Sequence, residues 1–113
     1  SPCSIDSGIS VVTLSGYLDT HTVLDFDRAV AQLLQEGIVH FIIDASNLNY
    51  ISSAGIGSLM RLVQDARQRD GDLVLLKPPQ KVYEILELLG FTNIFIFASS
   101  KEEAVRSLRG DSS

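Results

Sequence analysis

Two adjacent hydroxyls, Ser52 and Ser53, stand just ahead of an apolar rhythm of helical period, and two glycines, Gly55 and Gly57, follow at its start. A serine at such a place does one of two things. Its oxygen accepts from the unpaired backbone N–H groups that open a helix, or it stays free beside the positive end of the helix dipole, where negative charge is tolerated. Capping alone needs one serine. Each glycine costs about 1 kcal/mol of helix propensity relative to alanine, so Gly55 and Gly57 point to close approach by another backbone or by a partner. Residue chemistry leaves both readings of Asn49-Tyr50-Ile51-Ser52-Ser53-Ala54-Gly55-Ile56-Gly57 open, a cap and a binding segment.

Other constellations fall away. Gly55-Ile56-Gly57 begins like a dinucleotide fingerprint, but Met60 occupies the third glycine position, and several residues separate Ile43 from Ser52 where a tight strand-to-helix turn is required. No lysine follows Gly57 as a phosphate-binding loop demands. Ser53, His21 and Asp19 offer the residue types of a hydrolytic triad, yet no glycine-flanked serine elbow exists, and Asp19 and His21 are too close in sequence for separate roles. One cysteine, with His21 and His40 in unrelated settings, gives no metal-ligand spacing, and His40 reads as structural inside an apolar strand. Arg109-Gly110-Asp111 matches an adhesion tripeptide by coincidence in a tail expected to fray. No catalytic residue, cofactor or metal is expected.

The elements that must position these hydroxyls follow from composition and period. A chain of 113 residues, 45% apolar and 20% charged, suits one domain with its own core. Nine basic against fourteen acidic residues leave a net charge of −5, which argues against direct binding to nucleic acid. No apolar run approaches the ~20 residues that cross a bilayer, so membrane insertion is not expected. Ser1 to Ser10 has neither the basic start nor the apolar middle of a targeting segment, and the single Cys3 fits a reducing cytoplasm.

Ile9 to Leu14 reads as a strand stopped by the Ser15-Gly16 turn signal, with a short partner near Ser4 to Asp6. Val23, Phe26, Val30, Leu33 and Leu34 mark an amphipathic helix ended by Gly37. Ile38 to Ile43 is a continuous β-prone run, expected to be a buried central strand, and Asp44 to Ile51 reads as a loop. A second helix follows, with Ile56, Leu59, Met60, Val63 and Ala66 buried and Asp70-Gly71 closing it. Asp72 to Leu76 is a strand, and Val82, Ile85, Leu86 and Leu89 form the inner face of a third helix ended by Gly90. Asn93 to Phe97 reads as the last strand, and Ser100 to Glu103 matches a capping box for a helix through Leu108. The expected class is α/β, a single domain over 1–113 with a motif-bearing core at about 9–108 and a flexible tail at 109–113. A mixed sheet of four or five strands is covered by about four helices. An exposed edge strand in such a sheet permits a weak homodimer.

Gly16-Tyr17-Leu18-Asp19-Thr20-His21-Thr22, then Phe41-Ile42-Ile43-Asp44, then Tyr50-Ile51-Ser52-Ser53-Ala54-Gly55-Ile56-Gly57, together with the element order, resemble the STAS domain of bacterial anti-sigma-factor antagonists from about Ile9 to Leu108. The resemblance implies a regulatory switch and no enzyme. The unphosphorylated domain binds an anti-sigma factor that is itself a serine kinase and so frees a sigma factor. The kinase then uses Mg-ATP to phosphorylate a serine at the start of the second helix, the complex parts, and a phosphatase resets it. The family segment Asp-Ser-Ser/Thr-Gly-Leu-Gly, aligned on its glycines, places the acceptor at Ser53, with Ser52 as the alternative. Ser52 replaces the family's acidic residue and Ala54 its second hydroxyl.

By the same resemblance Asp19, His21, Thr22, Ile51, Ser52, Ser53, Ala54, Gly55, Ile56 and Gly57 contact the partner. Asp19 reads equally as a cap for a helix beginning near Thr20, and Ile56 as core by its period. Related domains with similar serine segments include scaffolds and the cytoplasmic domains of anion transporters. A non-catalytic scaffold, a transporter-associated domain and a sensor of small anions are therefore the alternatives.

Overall fold

Alternating apolar residues at Val12, Leu14 and Leu18 form the inner face of a strand that runs further than its turn signal suggests. In the computed structural model, which describes residues 3–6 and 8–109, the chain forms β1 (Cys3–Asp6), β2 (Ile9–Leu18), α1 (Val23–Gln35), β3 (His40–Ile51) and α2 (Ser53–Gln68). It continues with β4 (Asp72–Leu76), α3 (Gln80–Leu88), a 3-10 turn at Phe91–Asn93, β5 (Ile96–Ala98) and α4 (Lys101–Arg109). The five strands form one sheet in the order β1-β2-β3-β4-β5. Only β1 is antiparallel to its neighbour, and α1, α2 and α3 make the crossovers between the parallel strands. The expected α/β class and mixed sheet are observed, with five strands and four α-helices among the described residues.

The two faces of the sheet carry separate cores. Val12, Leu14, Phe41, Ile43, Leu73 and Leu75 pack beneath α1, α2 and α3, while Ile9, Ile42, Val74 and Leu76 pack beneath Ala104 and Leu108 of α4. Strict alternation along β4, where Leu73 and Leu75 serve one core and Val74 and Leu76 the other, is the pattern of a strand covered on both sides. Among the described residues no helix is long and apolar enough to cross a membrane.

Three expectations are corrected. The first strand does not stop at Ser15-Gly16, because Gly16 takes φ 76° and β2 continues to Leu18. Asp44 to Ile51 is not a loop but the second half of β3. Against β2 the register slips twice, with Asp44 to Asn47 opposite Thr13 to Ser15 and Leu48 to Tyr50 opposite Gly16 to Tyr17, so β3 holds one extra residue each time. Each slip lets two successive residues face outward, and the buried positions become Ala45, Leu48 and Ile51. The last strand is shorter and later than expected, since Phe91–Asn93 winds into a 3-10 turn before Ile96–Ala98.

Strand β3 pairs with β4 only from His40 to Asp44, whereas it follows β2 as far as Ile51. Its second half therefore has one strand neighbour, and α2 starts from its far end. The capping box is only half as expected. Ser100 Oγ accepts the Glu103 N–H at 3.1 Å, but the Glu103 carboxylate turns to Ser99, accepting from its N–H at 2.7 Å and its hydroxyl at 3.0 Å. The expected tail beyond Arg109, with the Arg109-Gly110-Asp111 match, lies outside the described residues from Gly110 onward.

Candidate functional site at the start of α2

The two serines divide the roles that the sequence left open. Ser52 is the N-cap, with extended backbone (φ −91°, ψ 174°), and its Oγ accepts the Gly55 N–H at 3.2 Å. Its carbonyl accepts the Ile56 N–H at 2.9 Å, and its own N–H donates to the Leu18 carbonyl at 2.9 Å. Ser52 is thus tied to the end of β2 and half-buried. Ser53 is the first helical residue, is exposed, and its hydroxyl has no hydrogen-bond partner among the described residues. One hydroxyl holds the helix; the other is presented.

The glycines divide as well. A β-carbon on Gly55 would lie 2.6 Å from the Leu18 carbonyl oxygen and 2.9 Å from Leu18 Cγ, so Gly55 is the close approach of the chain to itself. Around Gly57 the nearest atom to such a carbon is Arg61 Nη1 at 3.9 Å. Nothing within the domain demands glycine there, and its bareness is left to whatever approaches from outside.

Beside this helix start lies the turn after β2, brought there by the pairing of Leu18 with Ile51. Asp19 Oδ1 accepts the backbone N–H of His21 at 2.9 Å and of Thr22 at 3.2 Å. The Thr22 hydroxyl donates to the Tyr17 carbonyl at 2.8 Å and accepts the Asp19 N–H at 3.0 Å. The capping reading of Asp19 is therefore realised as a side-chain turn ahead of α1, which starts at Val23 and not near Thr20. The His21 N–H, joined by Thr22 and by the His21 charge, outweighs the loss of hydration and holds the Asp19 carboxyl below its ordinary range. An ionised carboxylate is thereby fixed next to the serine segment.

Several residues assigned to a partner surface lie inside. Ile51 is 2% exposed and Gly55 is buried, so neither offers surface, and Ala54 is half-buried against the core. Ile56, 5% exposed, is core as its period implied, yet it floors a groove. That groove, of about 300 Å³, was not anticipated: Ser53, Ile56, Gly57, Met60, Leu89 and Phe91 line it. Leu89 was expected on the inner face of α3 but caps the helix from outside it at 53% exposure, and Leu88 beside it is 87% exposed. The doubled leucine at Leu88-Leu89, one more than a helical stripe can bury, was the available signal.

A mixed sheet whose four parallel strands are joined by three crossover helices, with an exposed serine opening the helix after its longest strand, describes a known class. The STAS domain model matches residues 3–104, and the chain belongs to that family. Among curated relatives it is 29% identical over 102 residues, 90% of this chain and 88% of the other, to BtrV of Bordetella bronchiseptica, provisionally described as an anti-sigma factor antagonist. Among solved structures it superposes with TM-score 0.90 on a protein of Thermotoga maritima, described in the same provisional way, at 20% identity and covering 96% and 93% of the two chains. It superposes with TM-score 0.83 on the anti-sigma factor antagonist SpoIIAA in its unphosphorylated form, at 22% identity and 96% of each chain. The phosphorylated form of SpoIIAA gives TM-score 0.73 at 20% identity over 94% and 96%.

Proposed function

We propose that this chain is an anti-sigma-factor antagonist, acting in the cytoplasm and switched by reversible phosphorylation of Ser53. In its unmodified form it binds an anti-sigma factor that is also a serine kinase, and so releases a sigma factor. The observation that carries this reading is the division between the serines: the Ser52 hydroxyl is engaged with the Gly55 N–H, while that of Ser53 is exposed and unengaged. The names of the relatives support the class of partner.

The chain is substrate and not catalyst. The Ser53 oxygen attacks the γ-phosphorus of ATP held with Mg²⁺ by the partner; the new O–P bond forms as the bond to the bridging oxygen breaks, ADP leaves, and the hydroxyl proton passes to a partner base or to water. A helix N-terminus tolerates the added charge of about −1.5 to −2, so the fold persists. The interface does not. The partner covers Ser53, the bare Gly57 and the groove floored by Ile56 and walled by Met60, Leu89 and Phe91, and a phosphate there must be desolvated next to the ionised Asp19 turn. A difference of about 3–4 kcal/mol between the two forms corresponds to about 10²- to 10³-fold in affinity, enough to reverse occupancy. A phosphatase that hydrolyses the phosphoserine restores binding.

The test is capture from native lysate by wild type, Ser53→Ala and Ser53→Asp, with mass spectrometry of what is held. Wild type and Ser53→Ala retain an ATP-binding kinase and Ser53→Asp releases it. If all three retain the same partner and it is no kinase, Ser53 is no switch.

A further inference from the structure

Ser53, Gly57 and Arg61 follow one another along α2 at intervals of four, so each stands about one turn beyond the last. No residue from Ala45 to Met60 carries charge, and Arg61 is the first to do so on the helix that Ser53 opens. Its Nη2 donates to Asp27 Oδ2 on α1 at 3.2 Å and to Ser58 Oγ at 3.0 Å. Neither bond uses Nη1, which lies 3.9 Å from where a β-carbon on Gly57 would stand. The arm thus already leans back along the helix toward Ser53, over the one position between them at that spacing, and that position has no side chain. With 65% of the Arg61 side chain exposed, the Asp27 pair is a surface ion pair that holds the arm weakly.

We propose that Arg61 is an arm with two positions: in the unmodified chain Asp27 and Ser58 hold it against α1, and once Ser53 carries phosphate it crosses Gly57 and binds the phosphoryl oxygens. The inference rests on the reading of Ser53 as the acceptor. Side chains four apart on a helix have β-carbons about 5–6 Å from each other, and a phosphoryl group extends past the Ser53 β-carbon, so a change of rotamer at Arg61 closes the span. Phosphate brings a charge of about −1.5 to −2 and three acceptor oxygens, and a guanidinium takes it with two parallel bonds. Asp27 offers a single charge and is held through one nitrogen. Gly57 leaves the path clear, since a side chain there stands between Arg61 and Ser53. The closed arm covers the bare glycine on the rim of the groove, so modification shuts that part of the docking surface as well as charging it.

The full chain, made with phosphoserine incorporated in place of Ser53 during synthesis, tests this by pH titration followed by phosphorus NMR. The second ionisation of phosphoserine falls near about pH 6, and the helix N-terminus acts on it alike in every variant. Arg61→Gln is expected to raise the midpoint by at least about 0.5 pH over the phosphorylated wild type. Arg28→Gln, which removes the same charge from the exposed side of α1, is expected to move it by less than about 0.2 pH. Gly57→Leu keeps the charge and blocks the path, and is expected to raise the midpoint with unchanged circular dichroism. A rise below about 0.5 pH in Arg61→Gln, one as large in Arg28→Gln, or none in Gly57→Leu overturns the proposal. Failure of the Ser53 reading shows elsewhere, as absence of label at Ser53 after incubation with kinase and ATP, and leaves this titration untouched because the phosphoserine is placed during synthesis.

Discussion

The Leu18 carbonyl oxygen accepts the Ser52 N–H at 2.9 Å, and the same oxygen would lie 2.6 Å from a β-carbon on Gly55. The end of β2 thus fixes where α2 begins and how closely its first turn may approach. Gly55→Ala must push Leu18 or the helix aside, and overpacking of this kind destabilises by about 1–3 kcal/mol against a propensity gain of about 1 kcal/mol. Gly57→Ala meets only the Arg61 guanidinium at ordinary contact distance, 3.9 Å, so the propensity gain stands and the domain becomes up to about 1 kcal/mol more stable. Urea unfolding of the two variants is expected to shift in opposite directions, and Gly57→Ala is expected to lose partner affinity while gaining stability.

The two serines are separable by the same measurement. Ser52→Ala removes the oxygen that accepts the Gly55 N–H and is expected to lower stability by about 0.5–2 kcal/mol. Ser53→Ala removes no hydrogen bond among the described residues and is expected to unfold at the wild-type midpoint. Phosphopeptide mapping after incubation with the cognate kinase and ATP should find label retained in Ser52→Ala and absent in Ser53→Ala.

Leu89 walls the groove beside Ser53 and is more than half exposed, so Leu89→Lys removes little from the core. Its unfolding midpoint is expected to move within about 0.5 kcal/mol, the usual range for surface changes. Binding of the unphosphorylated chain to the anti-sigma partner is expected to weaken at least tenfold, read by titration calorimetry.

Asp19 is held below its ordinary value of 3.8 by the N–H groups of His21 and Thr22. A carboxyl whose pKa is lower folded than unfolded contributes stability that is complete above the unfolded pKa and fades as pH falls through the folded one. The Asp19 contribution is therefore constant at neutral pH and is lost below about pH 4. Glu103, lowered chiefly by the Ser99 N–H, behaves alike. Asp19→Asn is expected to flatten the acid limb of stability against pH, and an unchanged limb would show that the turn is not coupled to folding.

The elements legible in the sequence were those with a constant period. Val23, Phe26, Val30 and Leu33 keep a helical rhythm and are all buried, and Asp72 to Leu76 was read with its exact bounds because both faces are apolar. What failed was the second half of β3. Ala45, Leu48 and Ile51 recur every third residue because two inserted residues reset the phase, and a spacing of three matches neither the period of two of a strand nor a sustained helical stripe. The site was legible as a segment, since serines before a helix carry their own chemistry. Its assignment was not: which serine caps depends on where the Leu18 carbonyl lies, and the groove depends on α3 ending beside α2. Both are contacts between residues distant in sequence, and periodicity within one element does not contain them.

Past Asp44 the β2 and β3 pair stands clear of β4, and the Ser53 hydroxyl sits at its outer end. The inner side of the pair stays seated, with Leu48 and Ile51 each 2% exposed beneath the helices, while its outer edge has no strand beside it among the described residues. Amide exchange should therefore divide β3 along its length, with protection high at the root, from His40 to Asp44, and falling toward the tip, and modification of the tip should change protection there while leaving the root as it was.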